Sequence, residues 1–394
     1  MTNHNEVPVT SVLTPDLLAR IRERAAGYDS ANVFPTEDFE ELVAAGYLKA
    51  MLPRDLGGFN WGMRQAVEAQ RLLAAHAPAT ALAVNMHLVW TGVARLLAER
   101  GDNRLAMVQE WVSDGEVMAF GISEAGNDSV LFDSMTTAQL ADDGSYSFTG
   151  LKIFTSLAPA WTKLGIFGKS TEGDQQLLVH GFVDRSDPGV ETIENWDTLG
   201  MRASQSHSTR LNGARVSAGR IHSKLPVGPN ADPLIFGIFA SFLTLTASVY
   251  VGIVDRATEI ASETPRRRRS LSQGGATYSN DPTIRWQIAD AGMLKLALDA
   301  HARTIAGDLD DRVDYGASWF PRLVTFRTDA GNKAREAVQL ALQVSGGGQY
   351  YRGTELERLY RDVLASLYHP SDAESAHNTL ANWLVGPIQT ANES

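Results

Sequence analysis

The chain contains no cysteine, which excludes disulfides, thiolate metal ligands and thiol nucleophiles. It also lacks a basic excess. With 35 Lys and Arg against 46 Asp and Glu, its net charge is −11, so neither nucleic acid nor an anionic membrane is expected as a partner. No apolar run follows the opening "MTNHNEVPVT", so no export signal is read there and a cytoplasmic location is expected. No grouping of histidines or carboxylates has metal-ligand spacing, and no metal is expected. Repeats are absent, and the only biased tract is "RRRR" at 266–269. A chain of 394 residues with 44% hydrophobic and 21% charged residues reads as an ordinary globular protein of two or three domains.

Long apolar runs are rare as well. The one exception, "PLIFGIFASFLTLTASVYVGIV" at 233–254, carries no charge over 22 residues. That is long enough to span a bilayer. Its scattered Ser, Thr and Gly, the Asp232 in front of it and the want of a second such run favour a buried central helix covered on all sides.

Three textures divide what remains. Residues 1–116 read as a helical domain: "LTPDLLARIRERAA" repeats apolar residues at helical spacing behind a Thr14-Pro15 start signal, and Pro35-Thr36-Glu37-Asp38 opens a helix that ends at Gly46. Residues 117–228 hold short β-branched and aromatic runs such as "SYSFTGLKIFTS" and "QQLLVHGFVD", separated by Gly, Asn and Asp turns. These predict a small antiparallel β domain. Residues 229–394 return to helical periods long enough for a bundle.

Four motifs at the seams are similar to those of the acyl-CoA dehydrogenase superfamily: "FGISEAGNDS" at 120–129, "GLKIFTS" at 150–156, "LGMRASQS" at 199–206 and "QVSGGGQYYRGTELERLYRD" at 343–362. The resemblance covers nearly the whole chain. It implies an α+β multidomain fold, with an N-terminal helical domain, a middle antiparallel β-barrel-like domain and a C-terminal four-helix bundle, usually as a homotetramer. It also implies a flavin, FAD or FMN, between the β domain and the bundle. Carried over residue by residue, Phe120, Ile122, Ser123, Ser129, Phe154, Thr155 and Ser156 would meet the ring and its ribityl chain. Gln343, Gly346 and Gly347 would approach the nucleotide end from a neighbouring subunit, Gly permitting close backbone approach. Arg267 is nearest the family's phosphate-holding arginine, although "RRRR" also reads as a solvated basic turn.

The dehydrogenases of this family need a carboxylate to take an acidic proton. The usual Glu lies eight residues past the Arg-Asp pair, where this chain has Pro370. The alternative home on the first bundle helix falls at Phe242 or Leu243. Asp372 and Glu374 are the nearest carboxylates left to serve as a displaced base. In their place stand His87, in "LAVNMHLVW", and His369, beside the vacated position. Each alone reads equally as a core or cap histidine. Together they resemble the two-component flavin-dependent monooxygenases of this fold, in which a separate reductase supplies reduced flavin. That resemblance implies His87 and His369 as an acid/base or peroxide-stabilising pair and Ser156 as the nearby hydroxyl. Three readings are therefore open: a monooxygenase on a small molecule, an acyl-CoA dehydrogenase or oxidase using Asp372 or Glu374, and a catalytically silent flavin-binding homologue. His207 is expected at the surface.

Overall fold

The computed structural model describes residues 7–388; His4 lies outside them. Six helices come first: α1 (Val9–Val12), α2 (Pro15–Ala31), α3 (Thr36–Ala44), α4 (Met63–Ala74), α5 (Pro78–Ala98) and α6 (Ala106–Ser113). The start signal of α2 works as expected: Thr14 accepts the Leu17 N–H and Pro15 occupies the first turn. Eight strands follow: β1 (Met118–Gly121), β2 (Thr137–Leu140), β3 (Tyr146–Thr155), β4 (Lys163–Glu172), β5 (Gln175–Asp184), β6 (Val190–Ile193), β7 (His207–Val216) and β8 (Ile221–Pro226). Five helices complete the described chain: α7 (Pro233–Arg267), α8 (Pro282–Asp310), α9 (Trp319–Ser345), α10 (Glu355–Val363) and α11 (Ala373–Val385).

The strands join in one sheet of order β6-β7-β3-β2-β4-β5-β8, with β1 beside β4. The expectation of a purely antiparallel sheet needs correction. Strands linked by short turns, β2–β3 and β4–β5, do pair antiparallel. However, β1 runs parallel to β4, from Met118↔Lys163 to Gly121↔Ile166, and β2 bridges the same strand in parallel at Thr137↔Lys169. The long 122–136 connection carries the chain from β1 to β2 in the same direction, so both lie along one edge of β4. That connection contains the "SEAGNDS" motif, and its geometry matters below.

The uncharged run at 233–254 is the first part of α7, and α4, α5, α8 and α9 pack against it. Asp232 caps it by accepting the Leu234 N–H and also pairs with Arg104. Two of its hydroxyls pair inside the protein: Ser248 donates to the Thr244 carbonyl, and Thr246 accepts from Asn85. Gly252 is required by packing, since a Cβ there would come within 2.3 Å of the Arg71 carbonyl on α4. Helix α7 is thus the covered central helix of the bundle, with protein rather than lipid around its apolar face.

Candidate active site

A cavity of about 300 Å³ lies where α5, β1, the end of β3, the 196–206 loop, α7 and the turn after α10 meet. Its walls are mainly apolar. Leu82 and Met86 come from α5, Phe120 from β1, Phe242 from α7 and Trp196 from the loop, while Ser123, Ser156, Ser206 and His369 supply polar atoms. Phe120 and Phe242 stack at 5.3 Å with an 18° interplanar angle, a favourable offset arrangement.

Two devices hold the β side of this cavity in place. The first is a buried ion pair. The Lys152 ammonium, fully buried, donates to Glu124 Oε1 at 2.7 Å and to the Phe167 carbonyl at 2.8 Å. Glu124 also accepts from the Ser134 hydroxyl and from the Met135 and Thr136 amides. Burial would raise the Glu124 pKa, but the Lys152 charge and these donors prevail and hold it at about 2. Burial pulls Lys152 down to about 8, against the pull of Glu124. The Glu of "SEAGNDS" and the Lys of "GLKIFTS" therefore pin one motif to the other.

The second device is a bulge. The β3–β7 register slips between Lys152 and Thr155. The Ile153 amide bonds to the Ser123 carbonyl at 2.9 Å instead, and Phe154 takes φ +58°. A non-glycine residue in that region is strained, and bulges commonly re-aim side chains at sites. Phe154 meets Trp196 edge-on at 6.0 Å. Beside it, Ser156 Oγ lies 2.7 Å from Ser206 Oγ, itself 2.8 Å from Ser204 Oγ. This chain of hydroxyls runs from the interior to the cavity wall. The loop bearing Ser204 and Ser206 rests on α10, where a Cβ on Gly200 would approach the Arg361 carbonyl to 2.2 Å.

Of the two histidines, only His369 reaches the cavity. Its Nδ1 is 3.0 Å from the Tyr250 hydroxyl of α7, and its carbonyl accepts from Arg327 at 2.7 Å. Burial and then the Arg327 charge push its pKa down to about 3. Expectation and structure part at His87. Its Nδ1 accepts the Met118 amide at 3.0 Å, so Nε2 carries the proton and donates to the Leu48 carbonyl at 2.8 Å. Both ring nitrogens are consumed by backbone, and burial lowers the pKa to about 4. Met86, one residue earlier, faces the cavity instead.

The other expected residues separate in the same way. Phe120, Ser123, Phe154 and Ser156 come together at the cavity, whereas Ile122 is packed in the core and Thr155 is buried accepting from Thr209. Ser129 is exposed on the 122–136 connection. Arg267 is exposed and pairs with Glu263. Gln343 is exposed and accepts from Gln287, and Gly346 and Gly347 end α9; none of these lines the cavity. Arg268, not Arg267, reaches this terminus, donating to the Ser345 carbonyl at 2.8 Å. His207 is buried rather than at the surface: its Nδ1 accepts the Asn195 and Trp196 amides and its Nε2 meets Gln205.

Among the described residues, no carboxylate lines the cavity. Pro370 and Phe242 both do, so the two places where the family puts its base present a ring and a phenyl group. Leu243 is buried elsewhere. Asp372 caps α11 by accepting the Ser375 amide, and it and Glu374 are exposed away from the cavity. Arg361, the one lining cation among the described residues, is held by Asp29 and Glu357. Tyr250, Trp196, Met86 and Ser206 were not anticipated from sequence. Tyr250 had a signal as the one phenol within the uncharged run, and Ser206 as the last residue of the 199–206 motif.

Comparison with known proteins agrees with this geometry. Residues 244–371 match the family model described as "Acyl-CoA dehydrogenase, C-terminal domain". A dibenzothiophene monooxygenase of Mycolicibacterium goodii is 31% identical over 336 residues, which are 81% of this chain and 74% of that protein. An L-evernosamine nitrososynthase of a Micromonospora species is 28% identical over 371 residues, 89% and 84% of the two chains. Among solved structures, KijD3 in complex with FMN and dTDP-3-amino-2,3,6-trideoxy-4-keto-3-methyl-D-glucose superposes with a TM-score of 0.78 at 27% identity, covering 98% of this chain and 96% of that one. The carboxylate-free cavity and these relatives lead to one assignment: the chain belongs to the acyl-CoA dehydrogenase superfamily, in its branch of flavin-dependent monooxygenases and nitrososynthases.

Proposed function

We propose that this enzyme uses reduced flavin and O₂ to oxygenate a small, uncharged, largely apolar molecule in the cavity between α5, α7 and the turn after α10. The observation that carries the reading is the lining: His369 faces the cavity, and Pro370 and Phe242 stand where a base is needed for dehydrogenation. The residues suit a flavin. Aromatic walls at Phe154 and Trp196 match a planar ring, and the Ser156–Ser206 hydroxyls can exchange hydrogen bonds with its polar edge. Ser123, Phe154 and Ser156 would hold that ring. Ser129 would serve the ribityl chain and Arg267 the phosphate, while Gln343, Gly346 and Gly347 would approach that end from a second subunit in a homotetramer. An exposed apolar stripe on α8, with Trp286, Met293 and Leu296, suits such an assembly. FMN is the flavin this reading favours over FAD.

When bound, the reduced flavin supplies two electrons and activates O₂. One oxygen atom enters the substrate and the other leaves as water. A separate reductase, in the cytoplasm, restores the flavin. The chain's own part is to orient the substrate against Phe120, Phe242, Leu82 and Met86, exclude water, and donate a hydrogen bond from His369. Residues 1–116, 117–228 and 229–394 act as three domains whose meeting line is the cavity. Among the described residues no free cation lines it, since Arg361 is already paired. A molecule like dibenzothiophene therefore fits better than one carrying a diphosphate.

The test supplies the purified chain with a flavin reductase, NADH, FMN and ¹⁸O₂. Incorporation of ¹⁸O into dibenzothiophene or indole is expected. Anaerobic bleaching of bound flavin by an acyl-CoA would replace this reading with dehydrogenation. Failure to bind any flavin would leave the silent homologue.

A further inference from the structure

We infer that Tyr250 is a positioning residue that sets the proton of His369: its hydroxyl donates to Nδ1, which fixes the imidazole in the Nε2–H form and presents that N–H to the cavity. This rests on the reading above only in taking His369 as the group that meets the reacting atoms.

The argument starts from the phenol. Tyr250 is fully buried in α7, and among the described residues its hydroxyl has one partner, His369 Nδ1, at 3.0 Å. A phenol has a single proton, and leaving it unmatched in the interior costs about 1–3 kcal/mol. Were Nδ1 to carry the ring proton, it would donate to the phenol oxygen and the O–H would have no acceptor. With Nδ1 unprotonated, the O–H donates to it and both groups are satisfied. The ring proton then belongs on Nε2, which has no hydrogen-bond partner among the described residues, on a side chain that lines the cavity.

The surrounding charges favour the neutral ring. From α9, the buried Arg327 guanidinium donates to the carbonyls of Ser366 and His369 at 2.6 and 2.7 Å, and no carboxylate pairs with it among the described residues. From α10, Arg361 lines the same cavity, already bound to Asp29 and Glu357, and the buried Asp362 accepts the Met201 amide. Asp372, the nearest downstream acid, caps α11 at the surface. A second proton on His369 would thus sit beside an uncompensated cation. The pKa of about 3, lowered by burial and by Arg327, agrees. His369 is therefore a permanent hydrogen-bond donor across the neutral range and not a proton shuttle. Tyr250 decides which of its nitrogens does the donating.

The deciding measurement is a long-range ¹H–¹⁵N correlation spectrum of the full-length, histidine-labelled protein, with His369→Ala to assign the signal. The wild type should show His369 as the Nε2–H tautomer, unchanged between about pH 5.5 and 8.5. In Tyr250→Phe the same signal should move toward a mixture of tautomers. In turnover, Tyr250→Phe should lose about 10-fold in coupled product formation, by analogy with outer-shell partners of functional histidines. Adding it to His369→Ala should cost nothing more, because the two act as one unit. An Nδ1–H tautomer in the wild type would overturn the inference, as would a Tyr250→Phe loss that multiplies with that of His369→Ala. Because the tautomer is read without turnover, a chain that oxygenates nothing would sink the proposed reaction and leave this inference standing or falling on the spectrum.

Discussion

Two buried seams each hold one histidine, and their contrast is instructive. At the seam between α5 and β1, His87 bridges the Leu48 carbonyl and the Met118 amide, with nothing left over for a ligand. At the seam between α7 and the turn after α10, His369 spends one nitrogen on Tyr250 and leaves the other toward the cavity. Both imidazoles are held neutral first by burial, and His369 by the Arg327 charge as well. What separates the two rings is the count of protein partners around each: two for His87 and one for His369. The first seam joins helix to sheet by mimicking a missing backbone partner. The second offers a polar atom to a space with mainly apolar walls.

The sharpest way to break this contrast is to remove each ring. His369→Ala should lower product formation by about 100-fold or more, in the range typical for a positioned donor or acid/base group. Flavin binding and the melting temperature should change little. A variant with near wild-type product yield would move the chemistry away from this seam. His87→Ala should do the reverse. It leaves an amide and a carbonyl unmatched and opens a cavity, so a loss of about 2–4 kcal/mol in unfolding free energy is expected from urea titration. Activity per folded molecule should persist.

Acidity sharpens the same comparison. The folded pKa of His87 is depressed to about 4, below the ordinary value near 6.5. Its stabilising contribution is therefore complete above about pH 6.5 and is lost as pH falls toward 4, because the unfolded chain binds the proton more readily. The stability gap between wild type and His87→Ala should narrow by up to about 1.4 kcal/mol per pH unit across that window. A gap that stays constant from pH 7.5 to 4.5 would show that the ring is not held neutral. The smallest effect belongs to Asp372→Asn. Asn also caps helices, so the stability change should stay below about 1 kcal/mol. Product formation should be unaltered, and a large loss would return Asp372 to the role of base.

Much of the fold was legible because it rests on local rules. Helical spacing, the Thr14 and Asp232 caps and the β-branched runs located the helices, the sheet and the second helical set. The parallel placing of β1 and β2 was not legible, since it depends on where a long connection returns. At the site, Phe120, Ser123, Phe154, Ser156 and His369, singled out in the sequence, come together at the cavity wall. Ile122 and Thr155 were drawn in with their motifs although neighbouring strand residues face opposite ways. His87 failed similarly: one step along a helix turns a side chain by about 100°, which aims Met86 and not His87 at the cavity.

The sequence by itself determined the family, the class of fold and the loss of the usual base, because motifs, periodicities and a proline at position 370 are properties of the chain read in order. Only the tertiary structure decided that Glu124 and Lys152 are anchors for the cavity wall, that Phe242 and not Leu243 faces the site, and that Tyr250, distant in sequence, meets His369. The physical reason is that a side chain's chemistry depends on which of its polar atoms remain unpaired after packing, and pairing is settled by residues far apart along the chain.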